Sequence, residues 1–377
     1  MEFHLCLSSG VTSTMTNLVW PLMQNNITRS DLDRMIDYLQ QDNPKLTHGP
    51  LVKKFEEKWS KWLGVKHSLM LNSGSSANDL TLMALRELKG PGEIIVPPLT
   101  WVSDISSVLR SGFEPVFVDI NPDCLTIDET RIEESITDKT TCILATHVFG
   151  NPCNIEVIEE IAKKYNLSVI YDAAHCFGVK YNGKSIFEYG DISTCSFHAT
   201  KLFHTGEGGA LFTKNDELFH KCFYSHAFGH LGPTDFYGVG INGKLSELQA
   251  AMGLSVIPYM DIILEERKKV TDFYLSHLNF EKIKSIKLVD NVTWNYSYFP
   301  VIFNSEETLL KVQKGLNDNN IFPRRYFYPS LNTIEYAKGN KMPVSESIAQ
   351  RVLCLPLYVG LTHKELNIIV KLINVNI

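Results

Sequence analysis

The sequence predicts an α/β protein, with a large domain built on a mostly parallel sheet flanked by helices and a smaller C-terminal α+β domain. Three observations carry this. Between residues 67 and 172, short apolar runs of strand length alternate with helix-length stretches of 3.6-residue apolar spacing, the pattern of right-handed βαβ units in a sheet covered on both faces. From about Pro258 the texture changes to a charged helix followed by alternating strand-like runs. At 377 residues the chain is long enough for two domains with a substantial core. The expected division is a tail over 1–19, a large domain over 20–258 and a small one over 259–377.

Composition narrows the function classes. Lys and Arg total 36 against 42 Asp and Glu, a formal charge of −6, so no basic excess points to nucleic acid. The longest apolar runs, such as 93–99 and 167–170, have the length of buried strands and fall short of a membrane span. The N-terminal stretch MEFHLCLSSGVTSTMTN has neither the basic start nor the apolar core of a secretory signal. A cytoplasmic protein is expected. Eight cysteines stand without a C-x-x-C pair, which argues against a disulfide framework or zinc ribbon and for small core residues.

The elements follow in order. A helix starting near Thr28-Arg-Ser-Asp31 carries Leu32, Met35, Ile36 and Leu39 on one face. A turn at Leu46-Thr-His-Gly-Pro50 precedes a second amphipathic helix over 51–63, with Val52, Phe55, Trp59 and Leu63 three or four apart. A buried strand from His67 runs into Ser73-Gly74-Ser75-Ser76 and a helix over 77–88. Such a strand–turn–helix is a physical anion site, because free amides and the helix dipole converge there, although no Walker lysine follows. A strand from Gly92 then delivers Trp101, followed by a helix over 102–110, strands over 115–119 and 142–147, a helix over 155–165 and a strand over 167–172. Trp101, His147 and Asp172 fall at C-terminal strand ends, where ligands collect in such sheets.

Asp172, closing an apolar strand before Ala173-Ala174-His175, reads either as a helix cap or as a buried carboxylate paired with a cation. Lys201 sits in a loop of small, polar and basic residues before Gly206-Glu-Gly-Gly209 and the strand-like 210–213. It is either a surface charge or an enclosed amine whose lowered pKa would free it to form a Schiff base. His226 and His230 have i, i+4 spacing but lack a nearby carboxylate for a zinc site. Gly238-Val-Gly240-Ile-Asn-Gly243 matches a dinucleotide fingerprint in letters only, since no convincing strand precedes it. A helix is expected over 244–254. Beyond Pro258, a helix over 261–273, a strand-like run over 294–303, a helix over 306–317 and a loop over 323–329 with Arg324, Arg325 and two tyrosines make the small domain, which is expected to supply basic and aromatic groups to a cleft.

An anion-binding turn at Gly74 and Ser75, an aromatic plate at Trp101, a carboxylate at Asp172 and a lysine at Lys201 are the parts that hold pyridoxal phosphate. On these and on Leu46-Thr-His-Gly-Pro50, Asn72-Ser-Gly-Ser-Ser-Ala-Asn78, Pro97-Pro-Leu-Thr-Trp101, Asp172-Ala-Ala-His175, Ser196-Phe-His-Ala-Thr-Lys201, Gly206-Glu-Gly-Gly209, Asn242 with Leu245-Ser-Glu-Leu-Gln-Ala-Ala251, and Arg351-Val-Leu-Cys-Leu-Pro-Leu357, the chain resembles the DegT-type sugar aminotransferases among fold-type I pyridoxal-phosphate enzymes. The resemblance implies Lys201 as Schiff-base lysine and proton shuttle, Asp172 as partner of the pyridine nitrogen, and His175, where the family more often has Gln, on the phenolic oxygen. It implies Trp101 stacked on the ring, and Gly74, Ser75 and Ser196 on the phosphate. Asn242 is implied to reach the phosphate of a neighbouring subunit in a homodimer. The implied reaction moves an amino group from glutamate to C4, in preference to C3, of a deoxy-ketosugar linked to a nucleoside diphosphate, in the synthesis of aminosugars for polysaccharide or O-antigen. Ser75 stands where Thr is common, and Gly243-Lys244 where the loop often carries Arg. The alternatives are a sugar 3-dehydratase of the same fold, whose relatives carry histidine in place of the lysine, and a regulatory relative that binds the cofactor without turnover.

Overall fold

The computed structural model describes residues 29–41, 45–337 and 339–377. The expected tail, Thr28 and Cys6 lie outside the described residues. Helix α1 (Arg29–Leu39) lays Met35, Tyr38 and Leu39 against the core, whereas Ile36, expected on that face, is exposed. Positions 35, 38 and 39 form the i, i+3, i+4 stripe, and residue 36 begins the next side of the helix.

Helix α2 (Pro50–Leu63) opens on proline and buries Val52, Phe55, Trp59 and Leu63, as their spacing predicts. Its start is capped from far along the chain: Glu247, 1% exposed, accepts the amides of Gly49 at 2.8 Å, Leu51 at 2.9 Å and Val52 at 3.0 Å. A carboxylate here satisfies amides that the first turn leaves unpaired and meets the positive end of the helix dipole. Glu247→Ala is therefore expected to strand three buried donors and to cost roughly 2–4 kcal/mol. Urea unfolding of the variant checks this, and an unchanged midpoint would refute the cap.

The chain then forms β1 (His67–Leu71), α3 (Gly74–Lys89), β2 (Glu93–Val96), α4 (Ser103–Arg110), β3 (Glu114–Phe117), β4 (Thr140–Thr146), α5 (Ile155–Tyr165) and β5 (Ser168–Asp172). A hairpin of β6 (Lys180–Tyr181) and β7 (Lys184–Ser185) leads to β8 (Ile192–Ser196), β9 (Gly209–Thr213), α6 (Asp216–Ser225), α7 (Glu247–Val256) and α8 (Met260–His277). The seven-stranded sheet has the order β1-β9-β8-β5-β4-β2-β3. Strands β3, β2, β4, β5 and β8 run parallel, and β9 and β1 join antiparallel at one edge. The chain steps outward from β2 to β3 and then inward through β4 and β5, so the winding reverses beside β2, where ligand crevices form in such sheets.

Beyond α8, β10 (Lys284–Ser285), β11 (Val292–Thr293), β12 (Phe299–Ile302), α9 (Glu306–Asn317), α10 (Pro343–Arg351), β13 (Val352–Leu355) and α11 (His363–Asn376) follow. Strands β10, β12 and β13 form a second, antiparallel sheet. Its core joins Tyr274, Phe299, Leu309 and Ile369, while β11 pairs with β6. The strand-like run over 294–303 pairs in the second sheet only from Phe299, because Tyr296 takes a left-handed φ of 53° that interrupts extended backbone. The helix expected over 244–254 starts later, at Glu247, where Ser246 and Gln249 form a capping box.

Cys142, Cys153, Cys176, Cys195, Cys222 and Cys354 are buried and free, small core residues as expected. One helical run among the described residues, Glu247–His277, is long and apolar enough by composition to cross a membrane, with half of its most apolar window buried inside the protein. The expectation of strand-length apolar runs alone missed it. Ala250, Ala251, Leu254, Val256, Met260 and Ile263 of this run belong to the main core, the behaviour of a core helix.

Candidate active site

A cavity of about 280 Å³ opens at the C-terminal ends of the parallel strands. Gly74, Ser75, Trp101, Asp172, His175, Ser196 and Lys201 all line it. Asn242 does not: it is exposed outside this cavity, its Oδ1 accepts from Lys244 Nζ at 2.6 Å, and its carbonyl accepts from Asn72 Nδ2 at 2.7 Å.

The anion cradle is made by the β1–α3 turn. Ser73 caps α3 by accepting the Ser76 amide at 3.0 Å, and the amides of Gly74 and Ser75, in the first turn, have no intrahelical acceptor. Close packing dictates the small residues. A Cβ on Gly74 would sit 2.9 Å from the Ser196 Cβ, and one on Gly209 would sit 2.4 Å from the Ser73 carbonyl carbon. The ends of β8 and β9 can thus close against the helix start, bringing Ser196 beside Gly74. This donor set suits a phosphate.

The lysine loop is a tight excursion between β8 and β9. The Phe197 amide donates to Gly208 O at 2.8 Å, Ala199 to Gly206 O at 2.7 Å, and Lys201 to His198 O at 2.8 Å, with Gly206 at φ 79° in the turn that only glycine enters freely. Lys201 Nζ lies 3.4 Å from the Tyr298 hydroxyl and near the faces of Tyr298 and Tyr326. Burial lowers its pKa to about 8, against the opposing pull of Asp172. The residue as a whole is half-buried, with its amine set against the rings of Tyr298 and Tyr326. Tyr298 is held from behind by Arg267, a buried guanidinium donating to Tyr296 O at 2.9 Å, Ser297 O at 2.6 Å and Leu357 O at 2.7 Å.

An amine that loses its proton near pH 8 when folded, and near 10.5 when unfolded, disfavours the cofactor-free fold by about 3 kcal/mol below pH 8. That penalty fades as pH rises from about 8 to 10.5. Cofactor-free Lys201→Met should therefore be more stable than wild type at pH 7, with the gap closing toward pH 10.5; a pH-independent gap in urea titrations would contradict it.

Asp172 ends β5 and its Oδ1 accepts the Ala174 amide at 2.7 Å. His175 Nδ1 accepts the Phe149 amide at 3.0 Å. Burial, reinforced by Lys201, lowers its pKa well below the usual histidine value. A neutral ring accepting at Nδ1 carries its proton on Nε2, so His175 is a donor. The ring lies nearly parallel to Phe327, at 6° and 5.7 Å between centroids. Trp101, half exposed, stacks on Tyr326 with centroids 5.9 Å apart. Tyr326 and Phe327 come from the loop that was expected to carry cleft aromatics. It is tied to β13 through Arg324 and Cys354 and to the end of β2 through the Leu331 amide on Pro98 O at 2.9 Å.

Two readings change. His147, expected to end its strand, falls one residue past β4, and its ring is buried, stacked on Tyr171 and accepting the Cys153 amide at Nδ1 at 3.0 Å. Side chains alternate along a strand, and it is Thr146 that lines the cavity. Gly238–Gly243 forms no strand–turn–helix. A Cβ on Gly240 would fall 2.4 Å from the Gly229 nitrogen, so that glycine allows two loop strands to touch. Asn78, Thr100, Thr146 and Thr194 also line the cavity. They escaped the sequence reading because buried threonines and an asparagine inside a helix carry no local signal.

Comparison with known proteins agrees with this geometry. The model of the DegT/DnrJ/EryC1/StrS aminotransferase family matches residues 26–374. A dTDP-4-amino-4,6-dideoxy-D-glucose transaminase of Shigella dysenteriae is 39% identical over 354 residues, covering 91% of this chain and 95% of the relative. NtdA of Bacillus subtilis, solved with bound cofactor PMP, superposes with a TM-score of 0.84 at 29% identity, over 93% of this chain and 82% of that one. The fold of Helicobacter pylori PseC, an aminotransferase of pseudoaminic acid biosynthesis, superposes with a TM-score of 0.89 at 24% identity, over 95% of this chain and 98% of that one. A family match across nearly the whole chain, on a fold with an enclosed lysine at the strand ends, makes this protein a member of the DegT/DnrJ/EryC1/StrS aminotransferase family.

Proposed function

We propose that this chain is a pyridoxal-phosphate-dependent aminotransferase that moves an amino group from glutamate to C4 of a deoxy-ketosugar linked to a nucleoside diphosphate. The observation that carries the reading is an enclosed lysine amine of lowered basicity sharing one cavity with a carboxylate and an uncapped pair of helix amides. When bound, the cofactor supplies an electron sink for the carbon that gives or takes the nitrogen.

The residues then divide the work. Gly74, Ser75 and Ser196 hold the phosphate, and Trp101 covers one face of the ring. Asp172 keeps the ring nitrogen protonated, and His175 donates from Nε2 to the phenolic oxygen. Lys201 anchors the cofactor at rest and carries the proton to and from the substrate carbon, for which an amine titrating near pH 8 is suited. Arg324, Tyr326 and Phe327 line the same cavity, and in this reading they contact the sugar nucleotide. Asn242, exposed beside Asn72, reaches a partner's phosphate in a cytoplasmic homodimer. The chain divides into a large domain over 20–258 and a small one over 259–377, and its product feeds an aminosugar of polysaccharide or O-antigen.

The name of the Shigella relative supports C4 and a dTDP-linked sugar as the first substrate to try. A panel of nucleotide-linked 3-keto and 4-keto sugars, assayed with glutamate for 2-oxoglutarate release, tests the reading. Faster amination of a 4-keto sugar is expected. Release only with 3-keto sugars would overturn the position, and deoxygenation of the sugar without transfer would favour the dehydratase.

A further inference from the structure

Beneath the cavity floor lies a buried carboxyl that the proposed chemistry does not use. Asp104, on α4, is 0% exposed. Its Oδ1 accepts from Asn78 Nδ2 at 2.9 Å, and its Oδ2 accepts from the hydroxyls of Thr100 at 2.6 Å and Thr146 at 3.1 Å. Asn78 in turn accepts from Thr194 Oγ1 at 2.7 Å. Thr146 and Thr194 are the register neighbours of Asp172 on β4 and β8. The strands on both sides of Asp172 thus feed one network, and Asp104 sits at its centre in contact with the Asp172 side chain.

From this the geometry points to Asp104 as a positioning residue: it carries a proton that it donates to the Asp172 carboxylate, leaving Asp172 anionic and aimed at the cofactor's ring nitrogen. Two carboxylates in contact out of water cannot both be ionised, so one proton is shared by the pair. Burial, and then the charge on Asp172, push the Asp104 carboxyl well above the carboxylate range. The charged group facing Asp104 is Asp172; α3 offers Asn78, the turn before its own helix offers Thr100 and β4 offers Thr146, none of them ionisable, while the Lys201 amine feels Asp172 more strongly than Asp104. A donated O–H helps hold the negative charge of the pair on the Asp172 side, toward the place where the ring nitrogen would sit. The pair then presents one negative charge to one positive ring, where an ionised pair would present two.

The inference rests on Asp172 as ring-nitrogen partner, and the experiment separates the two ideas. Infrared spectra of the holoenzyme at pH 8 should show the carbonyl stretch of a protonated carboxylic acid, moved by deuterium exchange and absent from Asp104→Asn. Asp104→Asn keeps a donor toward Asp172, since its amide oxygen can accept from Asn78 as Oδ1 does and the Thr100 and Thr146 hydroxyls that donate to Oδ2 can turn to accept from its nitrogen. It should hold the cofactor within about threefold of wild type and leave the pKa of the cofactor's visible absorbance in place. Asp104→Val offers no donor and should weaken cofactor binding about tenfold or more. Absence of the acid stretch, or a fall in the absorbance pKa of about one unit in Asp104→Asn, would show that Asp104 is an anion and overturn the inference. If Asp104→Val does not fold, the infrared and absorbance measurements on Asp104→Asn still decide. A protein that never turns yellow would count against the cofactor reading, whereas a yellow protein lacking the acid stretch counts against Asp104 alone.

Discussion

Lys201→Ala should abolish transamination, with turnover falling by at least about 10³-fold, because in the proposed reaction one side chain both anchors the cofactor and moves the proton. Wild-type protein should be yellow and, after borohydride treatment, should carry the cofactor's mass permanently on the peptide containing Lys201. The alanine variant should gain no mass. The direction follows from the enclosure of the amine: burial lowers its pKa to about 8, so a sizeable fraction is unprotonated and nucleophilic near neutrality. Retention of wild-type turnover, or of reducible attachment at another lysine, would remove Lys201 from the chemistry.

Asp172→Asn should have the next largest effect. Asparagine keeps the shape and can still accept the Ala174 amide that Asp172 accepts at 2.7 Å, but it cannot balance a protonated ring nitrogen. Breaking a buried pair by removing one partner costs about 3–5 kcal/mol, or roughly 10²–10⁴ in cofactor affinity, turnover or both. Equilibrium dialysis against pyridoxal phosphate and single-turnover rates with glutamate measure the two shares. A variant within threefold of wild type in both would show that the charge on Asp172 is dispensable.

The alternation of strands and helices from His67 to Asp172 was legible because each element there has a period and a length that nothing else shares. Lys201, Asp172 and the Gly74 turn were legible only jointly, since each has an ordinary explanation on its own. What stayed hidden depends on which face a strand residue takes. His147 and Thr146 are adjacent, and a shift of one position exchanged the buried ring for the residue that lines the cavity. Asp104 was hidden for another reason. It follows Ser103 near the start of a helix, where an acid usually meets solvent and the dipole, and it is the tertiary packing of α3 and β4 around it that turns it into a buried group. The left-handed backbone at Tyr296, which interrupts a run of good strand formers, is likewise set by tertiary contacts such as Arg267 on its carbonyl.

The pairing of β1 with β9 also constrains the order of events during synthesis. Leu71 lies opposite Gly209, so the two halves of the anion cradle are nearly 140 residues apart in the chain and meet only when the last strand of the sheet has been made. Contacts of such long range form late in folding. A ribosome-bound chain that has emerged only as far as β8 has a lysine strand without its return and a phosphate turn without its floor. On the proposed reading of that turn as the phosphate site, capture of the cofactor has to wait for a finished sheet.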